Sequence, residues 1–97
     1  MATKTTKFDA ADYIDTAEDV IANMEAAFED GDPTVITMTL GDIARSKGMT
    51  AVAKDAGVTR EALYKALSAD GDPKLSTLLG VMKALGLHLT VVRGRAA

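Results

Sequence analysis

Asp-Gly-Asp-Pro occurs twice in the chain, at residues 30–33 and 70–73, and Gly48 and Gly57 fall between the two copies. These stops divide the chain into pieces that fit only short helices or single strands. In each Asp-Gly-Asp-Pro, the glycine is expected to take the left-handed conformation that ends one helix. The second aspartate is then expected to cap the next helix, with proline at its first position. Aspartates one residue apart also raise calcium, but the Asn/Asp ladder and closing Glu of a binding loop are missing.

Size and composition narrow the class further. A chain of 97 residues that is 47% hydrophobic suits one domain, which at this size buries roughly 60–70% of its extended surface. The absence of cysteine excludes disulfides and thiolate metal sites. His88 is the single histidine, which excludes a His-based metal cluster or triad within one chain. An enzyme would have to depend on carboxylates such as Asp42 or Asp55, and nothing pairs them in a cleft. No catalytic role, cofactor or metal is therefore expected. No apolar run approaches the roughly 20 residues that span a bilayer, and Met1-Ala2-Thr3-Lys4 lacks the apolar stretch of a signal peptide. A cytoplasmic protein with no membrane partner is expected.

Charge divides the chain unevenly. Residues 1–32 hold two lysines against nine carboxylates, net -7, and residues 33–97 hold nine basic side chains against five carboxylates, net +4. A basic portion permits a polyanionic partner and an acidic one permits a basic partner, although a solvated acidic helix is the commoner cause of such a run.

Periodicity predicts an all-α fold of five to six short helices followed by one short strand. Residues 1–7 form a disordered tail, 8–32 acidic N-terminal helices, and 33–97 a helical domain with the strand, all within one structural domain. Asp9 caps a short first helix, with Phe8 and Tyr13 as a hydrophobic staple. A second begins at Asp15-Thr16, where Glu18 or Asp19 completes a capping box, and Ala17, Val20, Ile21, Met24 and Phe28 share one face that should pack on the core. A third runs from Pro33 to Lys47 with Ile36, Leu40, Ile43 and Ala44 inward. The fourth covers 51–56, the fifth 60–69 and the sixth 74–85, the last with Leu75, Leu78, Leu79, Met82 and Leu85 on its apolar side. Residues 87–92 alternate and are β-prone, which predicts a strand that cannot form a sheet alone. The methionines within helical faces, Met24 and Met82, are expected as core filler.

Met49 to Ser68 has the pattern of a helix-turn-helix. Thr50 caps the first helix, Ala53 is small where the helices cross, and Gly57 makes the turn. Val52, Ala56, Val58, Leu63 and Leu67 face inward, and Thr59 caps the second helix. Arg60, Glu61, Tyr64 and Lys65 are left outward near its N-terminal end, the end that reaches base edges in the major groove in this motif. Thr59 and Lys74 are candidate partners of the DNA backbone, and Thr50 is a further candidate DNA-binding residue. An αα-hairpin within a helical bundle is the alternative, since it too uses glycine at a turn.

The stretch from Met49 to Leu87, ending in Pro73-Lys74-Leu75-Ser76-Thr77-Leu78-Leu79-Gly80-Val81-Met82-Lys83-Ala84-Leu85-Gly86-Leu87, resembles the Cro/lambda-repressor-like domains of phage repressors and antitoxins. Over residues 8–92 the chain is similar to the probable addiction-module antidote family, the HigA-like antitoxins. The likeness is carried by Phe8-Asp9-Ala10-Ala11-Asp12-Tyr13-Ile14, by Leu40-Gly41-Asp42-Ile43-Ala44-Arg45-Ser46-Lys47-Gly48-Met49 and by Arg60-Glu61-Ala62-Leu63-Tyr64-Lys65-Ala66-Leu67. It departs at Ala51, where Cro-type domains often carry a glutamine that touches the phosphate backbone.

The resemblance implies an antitoxin that binds and neutralises a RelE/HigB-like ribonuclease toxin and represses its own operon by binding operator DNA. A stand-alone Cro-type repressor without a toxin partner shares every feature from Met49 onward; the acidic N-terminal third is what separates the two. In the antitoxin reading the candidate toxin-binding residues are Asp12, Tyr13, Ile14, Glu18, Asp19 and Glu25, with Tyr13 and Ile14 as anchors. A lone strand must pair with something. Pairing across a twofold axis predicts a homodimer with Leu87, Leu89 and Val91 at its interface; the edge of a toxin sheet is the other partner.

Overall fold

In the computed structural model, which describes residues 16–94, helix α1 (Ala17–Asp30) starts where the Thr16 hydroxyl accepts from Asp19 N–H at 3.0 Å. The short helix expected over residues 9–14 lies outside the described residues. Four more helices follow: α2 (Pro33–Lys47), α3 (Met49–Ala56), α4 (Arg60–Ala66) and α5 (Leu75–Ala84). Residues 85–94 follow α5 without regular structure.

The two copies of Asp-Gly-Asp-Pro serve different purposes. At the first, Gly31 ends α1 with φ +80° and Asp32 Oδ1 accepts from Thr34 N–H at 2.9 Å, with Pro33 opening α2, as expected. The second departs from that expectation. The α5 N-cap is Lys74, without a side-chain cap, so neither Asp72 nor Pro73 starts the helix. Gly71 does not take a positive φ. Its lack of a side chain answers a close approach instead: a Cβ there would fall 2.1 Å from the carbonyl oxygen of Ala66 and 2.6 Å from that of Lys65. Both obstacles are backbone. Gly71→Ala is accordingly expected to cost about 1–3 kcal/mol or more, the range of overpacking. At Gly31, alanine meets only the left-handed penalty of roughly 1–2 kcal/mol. Urea unfolding midpoints of the two variants check the order.

Gly48 joins α2 to α3 alone. Its N–H donates to Ala44 O at 2.9 Å and its carbonyl accepts from Val52 N–H at 3.0 Å, at φ +109°. Glycine therefore occupies the N-cap of α3, and Thr50 sits inside the helix rather than capping it. The fourth helix thus starts at Met49, earlier than predicted, because Gly48 closes one helix and opens the next without a linker. The fifth ends at Ala66 rather than Ala69, since the Ser68 hydroxyl takes the Lys65 carbonyl at 2.8 Å.

The core draws on every described helix. Leu40 and Ile43 from α2, Leu63 from α4 and Val81 from α5 are fully buried, with Val20, Met24, Val52 and Met82 around them. Helix α3 packs against α2, α4 and α5, while α1 lies on α2. Gly80 places α5 close to the end of α3: a Cβ there would meet the Ala56 carbonyl oxygen at 3.2 Å. On α5, Val81 and Met82 are buried, with Leu78 and the C-cap Leu85 half-buried against the core; Leu75 and Leu79, expected on the same side, are exposed. Helix α1 differs from expectation in the same way. Val20, Met24 and Ala27 are buried, but Ile21 and Phe28 stay exposed at the edge of its apolar face.

The expected C-terminal strand is not present among the described residues. A Gly86 left-handed turn ends α5, with Leu87 N–H donating to Met82 O at 2.8 Å and Gly86 N–H to Lys83 O at 3.0 Å. Leu87 packs on the core, and beyond it residues 88–94 form no backbone–backbone hydrogen bond with another described residue. The physical reason is the one that limits any lone strand: a ladder needs a second strand, and the described residues contain none.

Candidate functional site

The α3–α4 unit is built by its turn. Ala53 O accepts from Val58 N–H at 3.0 Å, and Gly57 donates to Lys54 O at 3.2 Å. Gly57 has φ +78° and open space around it, so the left-handed backbone conformation, not crowding, selects glycine here. Thr59 then caps α4, its hydroxyl accepting from Ala62 N–H at 3.0 Å. Leu63 and Leu67 hold the short helix down from one side, while Val52 and Ala53 are buried on α3.

This arrangement leaves Thr59, Arg60, Glu61, Tyr64 and Lys65 exposed on α4 or its cap, with Thr50 exposed in the first turn of α3 and Lys74 exposed at the start of α5. Two of these residues are brought together. The Arg60 guanidinium lies over the Tyr64 ring, 4.9 Å from its centroid, and Nη2 donates to the Tyr64 hydroxyl at 3.3 Å. Stacking and hydrogen bonding together restrict a long side chain that would otherwise sample many rotamers. A guanidinium has five N–H donors, so most remain available for a planar acceptor pair. The sequence pattern leaves both residues outward, and their i,i+4 spacing is the signal that could have paired them. On α2, Arg45 is engaged by Asp42 in an ion pair.

The acidic side of the molecule is α1. It carries Glu18, Asp19, Glu25, Glu29 and Asp30 and no basic residue. Glu18 and Glu25 are exposed and Asp19 is half-buried; Asp12, Tyr13 and Ile14 lie outside the described residues. Between α1 and residues 86–92 runs an open groove of about 650 Å³. Ile21, Phe28 and Leu89 line its walls, and the buried Met24 and Met82 lie beneath. Sequence periodicity put Ile21 and Phe28 on the core face and so missed this groove. Of the residues expected at a dimer contact, Leu87 is half-buried while Leu89 and Val91 are exposed.

Among the described residues, no three His, Cys, Asp or Glu side chains gather where they could hold a metal ion, and no helix is long and apolar enough to cross a membrane.

A family model described as "Probable addiction module antidote protein" matches residues 4–93. An uncharacterized protein of Haemophilus influenzae is 40% identical over 90 residues, 93% of each chain. No solved structure matches the chain.

Proposed function

The chain belongs to the probable addiction module antidote family, and from that premise we propose that it is the antitoxin of a type II toxin–antitoxin module. It acts in the cytoplasm by binding, without catalysis of its own, to a small ribonuclease toxin of the RelE/HigB-like class, and it represses its own operon through sequence-specific DNA binding.

The observation that carries the DNA-binding half is the exposed Arg60–Tyr64 pair on the capped helix α4. A helix held by its N-terminal turn, with an arginine fork and Lys65 outward, has the form of the second helix of a Cro-type helix-turn-helix. Arg60, Glu61, Tyr64 and Lys65 then face base edges, and Thr50, Thr59 and Lys74 face the phosphate backbone. A second copy meeting the first along residues 87–92, with Leu87, Leu89 and Val91 at the contact, gives the twofold arrangement that a palindromic operator asks for. The unbonded backbone of residues 88–94 and the exposure of Val91 support that contact.

For the toxin half, support comes from family membership together with the acidic α1. Co-expression tests it. The product of the reading frame beside this gene, expressed alone, should arrest growth, and the full-length chain should restore it. A neighbouring product that is innocuous, or that arrests growth equally with and without the chain, contradicts the reading and leaves a stand-alone repressor.

A further inference from the structure

In the groove between α1 and residues 86–92, exposed apolar side chains meet carboxylates. Ile21 is 46% exposed and Phe28 37%, on a helix that buries Val20, Met24 and Ala27. Leu89, 38% exposed, faces the same space from the C-terminal segment. The apolar face of α1 is thus wider than the core beneath it. The rim is acidic: Glu25 and Glu29 belong to the lining, and no lysine or arginine does. A chain folding only for itself gains little from leaving a phenylalanine, an isoleucine and a leucine around an open groove edged by carboxylates.

The geometry points to this groove as the toxin-docking site of the chain. It would receive a segment of the partner that inserts two or three apolar side chains and carries Lys or Arg on the side that faces α1, where Glu25 and Glu29 lie, opposite the wall that holds His88. Ile21 and Phe28 supply buried anchor area on one wall and Leu89 on the other. Glu25 and Glu29 meet the flanking cations, which speeds encounter and fixes register more than it adds affinity. The inference rests on the antitoxin reading for who carries that segment; the chemistry of the segment comes from the groove. The groove and the dimer contact proposed above share Leu89; the groove takes its side chain, which leaves Val91 and the backbone of residues 88–92 to a second copy.

The test titrates full-length chain with the purified product of the reading frame beside its gene, following affinity and association rate at several salt concentrations. Oligomeric state is read by sedimentation. Ile21→Asp with Phe28→Asp is expected to weaken binding at least ~100-fold, as loss of a buried anchor cluster does. Glu25→Lys with Glu29→Lys is expected to slow association about 10-fold at low salt and to flatten its salt dependence. Both pairs are surface changes, and an unaltered urea midpoint and unaltered DNA binding show that the fold is kept. The Glu pair reads the groove even if the Asp pair does not fold. Wild-type affinity in both double variants, beside a wild-type chain that does bind, overturns the groove and leaves the antitoxin reading standing. Variants that dissociate a dimer while binding the neighbouring product normally make the groove a self-contact instead, which also overturns the proposal. A wild-type chain that does not bind the product overturns both.

Discussion

Leu63→Ala is expected to lower stability by about 2–5 kcal/mol, the range for emptying a fully buried leucine site. Leu63 is the one buried side chain within the seven residues of α4. A helix that short has no stability of its own, so its position depends on Leu63, on Leu67 just beyond it and on the Thr59 cap. Against a total of roughly 5–15 kcal/mol for a domain, that is a substantial part of the stability. It also loosens the surface that carries Arg60 and Tyr64. Urea unfolding should show the loss directly, and DNA binding should weaken even at temperatures where the chain remains folded. A change below about 1 kcal/mol would mean that α4 is held by something other than Leu63.

Arg60→Ala is expected to do the reverse: little to stability and much to recognition. The side chain is exposed, and exposed substitutions away from caps and cores fall within roughly 0.5 kcal/mol. In the proposed complex the guanidinium reads a base edge, and losing a bidentate contact costs about 1–3 kcal/mol, roughly 5- to 150-fold in affinity. Arg60→Lys separates geometry from charge. Lysine keeps the charge but loses the planar fork, so it should recover the salt-dependent part of binding and not the discrimination between sequences. Tyr64→Phe retains the ring under the guanidinium and removes only the hydroxyl partner, so its effect should be the smaller. Equal operator affinity for wild type and Arg60→Ala would remove α4 from the major groove.

How far such features can be read in a sequence depended on whether their cause was local. Caps at Thr16, Asp32 and Thr59 involve a side chain and a backbone N–H two or three residues on, and all were legible. So was the turn at Gly57, where a positive φ selects glycine. The second Asp-Gly-Asp-Pro misled because its cause is tertiary: Gly71 lies against the Ala66 and Lys65 carbonyls, a proximity that no local pattern encodes. Thr50 was taken for a cap because Gly48, which serves two helices at once, was counted only as the stop of the first. Periodicity marked the apolar faces of α1 and α5 but not how much of each face the core covers. Hence Ile21, Phe28, Leu75 and Leu79 were expected inward and are exposed. The β-prone alternation of residues 87–92 describes side chains suited to a strand, whereas a strand also requires a partner. On α4 the outward position of Arg60, Glu61, Tyr64 and Lys65 follows from the sequence pattern, whereas the Arg60–Tyr64 contact depends on two rotamers that the pattern does not set.

In the function proposed above, this antidote-family chain reads DNA through α4. Fluorescence anisotropy of a labelled duplex taken from immediately upstream of the chain's own reading frame tests it most directly. The control is a duplex of the same length and composition with its bases scrambled, at the same salt concentration, since backbone affinity alone varies steeply with salt. The account predicts binding to the upstream duplex at least about 1,000-fold tighter than to the scrambled one, with most of that ratio lost in Arg60→Ala. Equal affinity for the two duplexes, or no binding to either, would contradict it.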